Sequence, residues 1–256
     1  MRPHLLLIAA ILLLLARPTV AQHEVERCNL AIDIGHTETT QGSTSARGVG
    51  EYLFNRTMAN LLLDKLHRDD RVDAFIIDGN DMTLQQRTQF AADHHATVFF
   101  SLHHDSVQPR YLSTWTYQGK EHHYSAKFHG FSLFISEKNP YPKQSLALAQ
   151  SLGTQLLAAG FTPTLHHAEK IPGESRPLLD PHRGIYAFDD LIVLKTASMP
   201  AVLLECGVIV NRSEELHLTD PKKRARMIQA VATAIERTCP RISLEDHTPT
   251  TSRDVH

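Results

Sequence analysis

Apolar residues in this chain fall into short runs that alternate with longer stretches of helical spacing. Residues 28–34 read as a buried strand, and a polar loop containing Gly and Ser follows through Gly50. From Glu51 to Leu66, apolar side chains recur at Leu53, Phe54, Met58, Leu61, Leu62 and Leu66, the spacing of one helix face. Val72 to Ile77 is a second strand, ended by Asp78-Gly79. Thr83 is placed to cap a helix reaching about His94, with Leu84, Phe90 and Ala91 turned inward. Thr97 to His103 is rich in β-branched and aromatic residues and predicts a third strand. Residues 104–127 show no clear period. Phe131 to Ser136 predicts a strand, and Ser145 to Ala159 a helix with Gly160 where a left-handed cap is usual. Leu191 to Leu194 and Ala201 to Glu205 read as strands, and Pro221 to Arg237 as a final helix opened by proline.

Strands alternating with helices predict a three-layer α/β/α sandwich around a largely parallel, mixed sheet. No internal repeat and no second domain is visible, so residues 22–239 are expected to form one domain. Residues 240–256 lack periodicity and are expected to be a disordered tail. The N-terminus adds a different signal. Arg2 and His4 precede an apolar run from Leu5 to Ala16, and Thr19-Val-Ala21 resembles a cleavage site for secretion. The run is short for a membrane span. Residues 1–21 therefore read as a signal peptide, with an uncleaved anchor as the rival, and no later segment is apolar enough to cross a bilayer. The expectation is an exported protein, periplasmic in a two-membrane cell. Export gives meaning to Cys28, just before the first strand, and Cys239, just after the last helix: in an oxidising compartment they could pair. Cys206 reads as a small buried side chain. A formal charge of −2 argues against a nucleic-acid binder.

Four residues carry the candidate chemistry. His36 follows the first apolar run, Glu51 opens the first long helix, His103 ends the third strand and Glu205 ends the run from Pro200. Ligands in such sheets gather beyond the carboxyl ends of the strands, where three of the four lie. Two imidazoles and a carboxylate suit an open catalytic zinc site, and a second carboxylate could move the proton of a bound water. Each has a bland reading. With 17 histidines, many in pairs (94/95, 103/104, 122/123, 166/167), a His near a strand end is unremarkable. Most of these pairs read as solvated, and His-rich composition also fits a metal-buffering protein. An acid in a first helical turn needs no metal to explain it. Glu205 resists dismissal, because a carboxylate closing an apolar strand is costly to bury without a partner or a task.

At these residues the chain resembles the zinc-dependent N-acetylmuramoyl-L-alanine amidases of the amidase 3 family. Ile32-Asp-Ile-Gly-His36 resembles the family's Asp-Pro-Gly-His segment, and Glu51 with Asn55 its Glu-x-x-x-Asn pattern. Ser101-Leu-His103 is similar to its Ser-Ile-His strand end. Pro200-Ala-Val-Leu-Leu-Glu-Cys-Gly207, continuing to Asn211, is similar to its Pro-Ala-Val-Leu-Val-Glu-x-Gly segment. The motifs stay in order across about residues 29–237. The resemblance implies His36, Glu51 and His103 as Zn2+ ligands, choosing His103 over His104, with Glu205 as the catalytic carboxylate. It implies peptidoglycan as substrate, cut between N-acetylmuramic acid and L-alanine during wall remodelling or cell separation, and it leaves room for a protein activator. The alternatives are a zinc amidohydrolase or peptidase acting on soluble muropeptides, or a metal-binding regulator without catalysis. Ile34 stands where the family has Pro, and loop 37–50 lacks the usual Gly-Gly. Residues 161–190 are longer than the family's link and could serve as a lid, a plug or a plain surface loop.

Overall fold

A computed structural model describes residues 27–68 and 71–244; the signal-peptide expectation for residues 1–21 and the tail from 245 onward lie outside the described residues. The chain begins with strand β1 (Cys28–Ile34), followed by helix α1 (Glu51–Leu66), β2 (Val72–Asp78), α2 (Leu84–Asp93) and β3 (Val98–Asp105). A hairpin of β4 (Ser113–Tyr117) and β5 (Lys120–Tyr124) precedes β6 (Ser132–Ile135) and α3 (Pro142–Ala158). The remainder comprises β7 (Leu178–Asp180), β8 (Ile185–Ala187), α4 (Ile192–Thr196), β9 (Ala201–Val208), α5 (Arg212–Thr219) and α6 (Pro221–Leu244).

Seven of these strands make one sheet in the order β2-β1-β3-β9-β6-β8-β7. The half from β2 to β9 is parallel throughout. Strand β6 runs antiparallel to β9, and β7 antiparallel to β8, so the sheet is mixed. Central strands are buried on both faces, and alternate residues serve the two layers. Leu30, Ile32, Phe100, Leu102, Val202 and Leu204 pack against α1, α3 and α6. Ala31, Phe99, Ala201 and Leu203 face α2 and α4 with Ala91, Val193 and Leu194. The three-layer α/β/α sandwich is as expected.

Four local expectations change. The run Leu191–Leu194 is not a strand: Leu191 caps helix α4, whose Val193 and Leu194 are buried. A short apolar run does not distinguish strand from buried helix by periodicity, and both edges of β9 are already paired with β3 and β6. In α2 the inward residues are Arg87, Thr88 and Ala91, whereas Leu84 is exposed. Thr83 does cap that helix: its hydroxyl accepts from Gln86 N (3.2 Å) while Gln86 Oε1 accepts from Thr83 N (2.8 Å). Residues 104–127, which lack a period, include the β4–β5 hairpin. Its turn places Gln118 (φ 49°) and Gly119 (φ 75°) in the left-handed region, as a two-residue hairpin turn of this hand requires. Segment 161–190 is no free loop, because β8 pairs with β6 inside the main sheet.

Helix α6 continues past Arg237 to Leu244 and brings Cys239 against Cys28, at the start of β1. The two form a disulfide with Cα atoms 5.4 Å apart, across a sequence separation of 211. Closing so long a loop restricts the unfolded chain strongly. Replacing Cys28 by Ser should lower the unfolding free energy by about 2–5 kcal/mol. Urea denaturation would show this, and wild-type protein unfolded in a reductant should shift by a similar amount.

Candidate active site

The chemistry-bearing residues meet at the carboxyl ends of β1, β3 and β9. Gly35 leaves β1 by donating its amide to Leu102 O (3.0 Å), and the chain then turns sharply at His36, which adopts φ 68°. This left-handed conformation is unusual for a side chain larger than Gly and points to constraint from the surroundings. A Cβ at Gly35 would strike the His103 ring, so only glycine lets the two segments approach. Gly42 (φ 72°) plays the same part from loop 37–50, since a Cβ there would strike the His36 ring and the Glu51 carboxylate. A different glycine thus supplies the close approach in the loop that lacks Gly-Gly.

Glu51, the first residue of α1, is buried beneath both rings. His36 Nε2 lies 3.0 Å from Oε2 and His103 Nδ1 lies 3.0 Å from Oε1. The imidazole rings are 5.0 Å apart and nearly perpendicular, at 71°. Burial opposes ionisation of Glu51, but hydrogen bonds and charge from His103 and His36 outweigh it and hold the carboxyl below its usual range. Three more donors orient it: Ser43 N (3.0 Å to Oε2), His104 N (3.2 Å to Oε1) and Asn55 Nδ2 (3.2 Å to Oε1). One ligand atom from each of His36, Glu51 and His103 lies within 4.8 Å of the others, a set able to hold a metal ion.

Asn55 and His104 form the layer beneath. Asn55 Nδ2 also donates to Gly35 O (3.1 Å), and its Oδ1 accepts from His104 Nδ1 (2.7 Å). Burial pushes His104 down to about 3, so its ring is neutral and serves as a packed donor. Asn211, also in the matched segments, is an N-cap: its Oδ1 accepts from Ser213 N and Glu214 N at the start of α5.

Glu205 lies inside β9, not at its end, because the strand continues to Val208. It sits in parallel register with His103 on one side and opposite Ser132 on the other. Its Oε2 is buried without a hydrogen-bond partner, although the residue as a whole is partly exposed. Burial raises its proton affinity well above that of an ordinary carboxylate, and the charges of Asp105 and Glu51 add to the rise. Glu205, His36, Glu51 and His103 line one open polar pocket. All four expected site residues therefore converge.

Sequence reasoning missed two groups. Arg87 is fully buried and joins α2 to the end of β1: Nη1 donates to Asp33 Oδ1 (2.9 Å) and Ile34 O (2.6 Å), and Nη2 to His36 O (2.6 Å). Ser101 on β3 completes the unit by donating to Asp33 Oδ2 (2.6 Å). The signal available was an Asp inside an apolar strand, which needs a buried partner. The second group is His166, His167 and Glu174 from segment 161–190. Both histidines are buried rather than solvated, at 3% and 8% exposure, and Glu174 reaches the pocket wall, accepting from Gln108 Nε2 (2.8 Å).

Fold and site together define an α/β protein with three metal-type donors and a further carboxylate in one pocket. The chain belongs to the N-acetylmuramoyl-L-alanine amidase family, whose model matches residues 30–237. It is accordingly an amidase acting on peptidoglycan. Similar solved structures include the catalytic domain of CwlV, an N-acetylmuramoyl-L-alanine amidase from Bacillus (Paenibacillus) polymyxa var. colistinus. It is 24% identical with a TM-score of 0.62, covering 82% of this chain and 97% of that one. An N-acetylmuramoyl-L-alanine amidase from Clostridium difficile 630 is 20% identical (TM-score 0.63; 82% and 95% covered). The CwlD amidase from Clostridioides difficile, in complex with the GerS lipoprotein, is 16% identical (TM-score 0.58; 83% and 98% covered). No curated protein sequence matches this chain significantly.

Arg87 gives the site its own test. Arg87→Met leaves Asp33 buried without its counter-charge and should cost about 3–5 kcal/mol of stability in urea denaturation. Adding Asp33→Asn to that variant should recover part of the loss.

Proposed function

We propose that this chain is an exported, zinc-dependent amidase that cuts peptide stems from peptidoglycan between N-acetylmuramic acid and L-alanine, during wall remodelling or cell separation. In this reading His36, Glu51 and His103 hold Zn2+ and Glu205 is the proton-carrying residue. One observation carries it: three nitrogen and oxygen donors lie within 4.8 Å of one another, in the same pocket as a carboxylate whose Oε2 has no partner.

Zinc, when bound, would polarise the scissile carbonyl and acidify a water. The chain's own residues do the rest. Ser43 N, His104 N and Asn55 hold the Glu51 carboxylate in place, so the donors are positioned before any ligand arrives. Arg87 holds the carbonyl of His36, whose ring is set against Glu51. Glu205 accepts the proton of the attacking water at its carboxylate and delivers it to the departing L-alanine nitrogen. Burial and the charges of Asp105 and Glu51 raise its proton affinity, and a cation on Glu51 would lower it again and free the carboxylate to act as a base. The Cys28–Cys239 bridge supports export, since such bonds persist in oxidising compartments. A protein activator fits this reading as well, because a structural neighbour is known in complex with a lipoprotein.

Purified protein incubated with sacculi should release stem peptides identifiable by mass, lose this activity to a chelator and regain it with added zinc. Glu205→Gln should retain zinc while turnover falls by roughly 10²–10⁴. Sacculi left intact by zinc-loaded wild-type protein would overturn the reading.

A further inference from the structure

A second group of donors lies just beyond the first, and nothing in the amidase reaction calls for it. Asp105 is the last residue of β3, two positions past His103, where the pairing with β9 shifts register. His166 and His167 reach it from the short helical turn His166–Ala168 in segment 161–190. All three are buried, and one ligand atom from each lies within 4.8 Å of the others. His167 Nε2 is 2.8 Å from Asp105 Oδ2, and His166 Nε2 is 3.3 Å from the same oxygen. The two rings stand 4.0 Å apart.

The hydrogen bond on the far side of the His167 ring decides what its near atom can do. His167 Nδ1 lies 3.0 Å from Glu174 Oε2, a pure acceptor when ionised, so Nδ1 carries the proton. In the neutral ring Nε2 then presents a lone pair to Asp105, which is repulsive unless something positive lies between them. His166 Nδ1 is 2.8 Å from Thr164 Oγ1, whose residue is itself held through Tyr186 Oη donating to Thr164 O (2.9 Å). His166 Nε2 remains buried with no hydrogen-bond partner, facing Asp105. Two imidazoles anchored at Nδ1, with both Nε2 atoms directed at one carboxylate oxygen, match the outer-partner pattern of histidine metal ligands.

A proton is the competing occupant. Placed on His167 between Asp105 and Glu174, it satisfies that ring: burial opposes the charge, but the two carboxylates outweigh that cost and push the imidazole up to about 9. It would do nothing for His166 Nε2, and it would set an imidazolium beside a second buried imidazole. A divalent cation accepts all three donors together. Two nitrogens and one carboxylate oxygen suit zinc and leave further positions for water.

We infer that Asp105, His166 and His167 form a second divalent-cation site, for Zn2+, distinct from the His36–Glu51–His103 set. Its occupant ties segment 161–190 to β3 and steadies Glu174 and Gln108 at the pocket wall, through the bonds His167–Glu174 and Gln108–Glu174. The assignment rests on its own donors and does not require the amidase reading.

Metal-stripped full-length protein, dialysed against micromolar Zn2+ and analysed for metal content, separates the two occupants. Wild-type protein should hold about two equivalents, and His36→Ala and His166→Gln about one each. The combined variant should hold none. Wild-type protein saturating at about one equivalent, with none on His36→Ala, would overturn the inference, as would two equivalents on His166→Gln. The His36→Ala measurement decides the matter even if His166→Gln does not fold. Failure to cut sacculi would refute the amidase proposal while leaving this count unchanged.

Discussion

Arg87 and Asp33 are the pair on which the site depends. A guanidinium and a carboxylate, both almost wholly buried, are expensive to remove from water and are tolerated only when their remaining bonding capacity is used. Here the two terminal nitrogens of Arg87 use it largely on the backbone, while Nε is buried without a partner. The guanidinium holds the carbonyls of Ile34 and His36, while Asp33 also accepts from Ser101. One ion pair thus joins α2, β1 and β3 at the point where His36 turns into a left-handed conformation. It holds that turn together with the Gly35 amide on Leu102 O, and the ring of His36 is set against Glu51 by their direct contact.

The second constraint is steric. Parallel strands deliver Gly35, His103 and Glu205 to one edge of the sheet, but proximity at the backbone does not itself bring side chains together. Gly35 and Gly42 permit it, because any Cβ at either position would occupy the space of His103, His36 or Glu51. Glu51 is then pinned between two imidazoles and three further donors. Its charge is stabilised before substrate arrives, while Glu205 in the adjoining strand is left with an unpartnered oxygen. Two carboxylates in one pocket therefore have opposite proton affinities, the condition for dividing labour between them.

Segment 161–190 connects fold and pocket. Its β8 and β7 extend the sheet beyond β6, and its turn at His166–Ala168 carries two histidines into the interior. A lone excursion of that length would be costly to order, and pairing at one end with buried polar contacts at the other explains how it is held. Through Glu174 the segment also lines the active-site pocket.

The layered architecture was legible in the chain because strand and helix periods alternate cleanly. His36, Glu51, His103 and Glu205 were legible because charged or ring side chains at the edges of apolar runs demand explanation. The disulfide was no more than an open possibility, since spacing says nothing of distance. Short elements were misread where length could not separate helix from strand, as at Ile192–Thr196, and the extent of β9 beyond Glu205 was set by its two neighbours. Arg87, His166 and His167 could not be assigned from the sequence at all. Whether an arginine or a histidine faces water or the interior depends on the partners that distant segments provide. By itself the sequence determined which residue types could do chemistry and in what order the layers form. Only the tertiary structure decided which polar groups are buried together, because that depends on contacts between residues far apart in the chain.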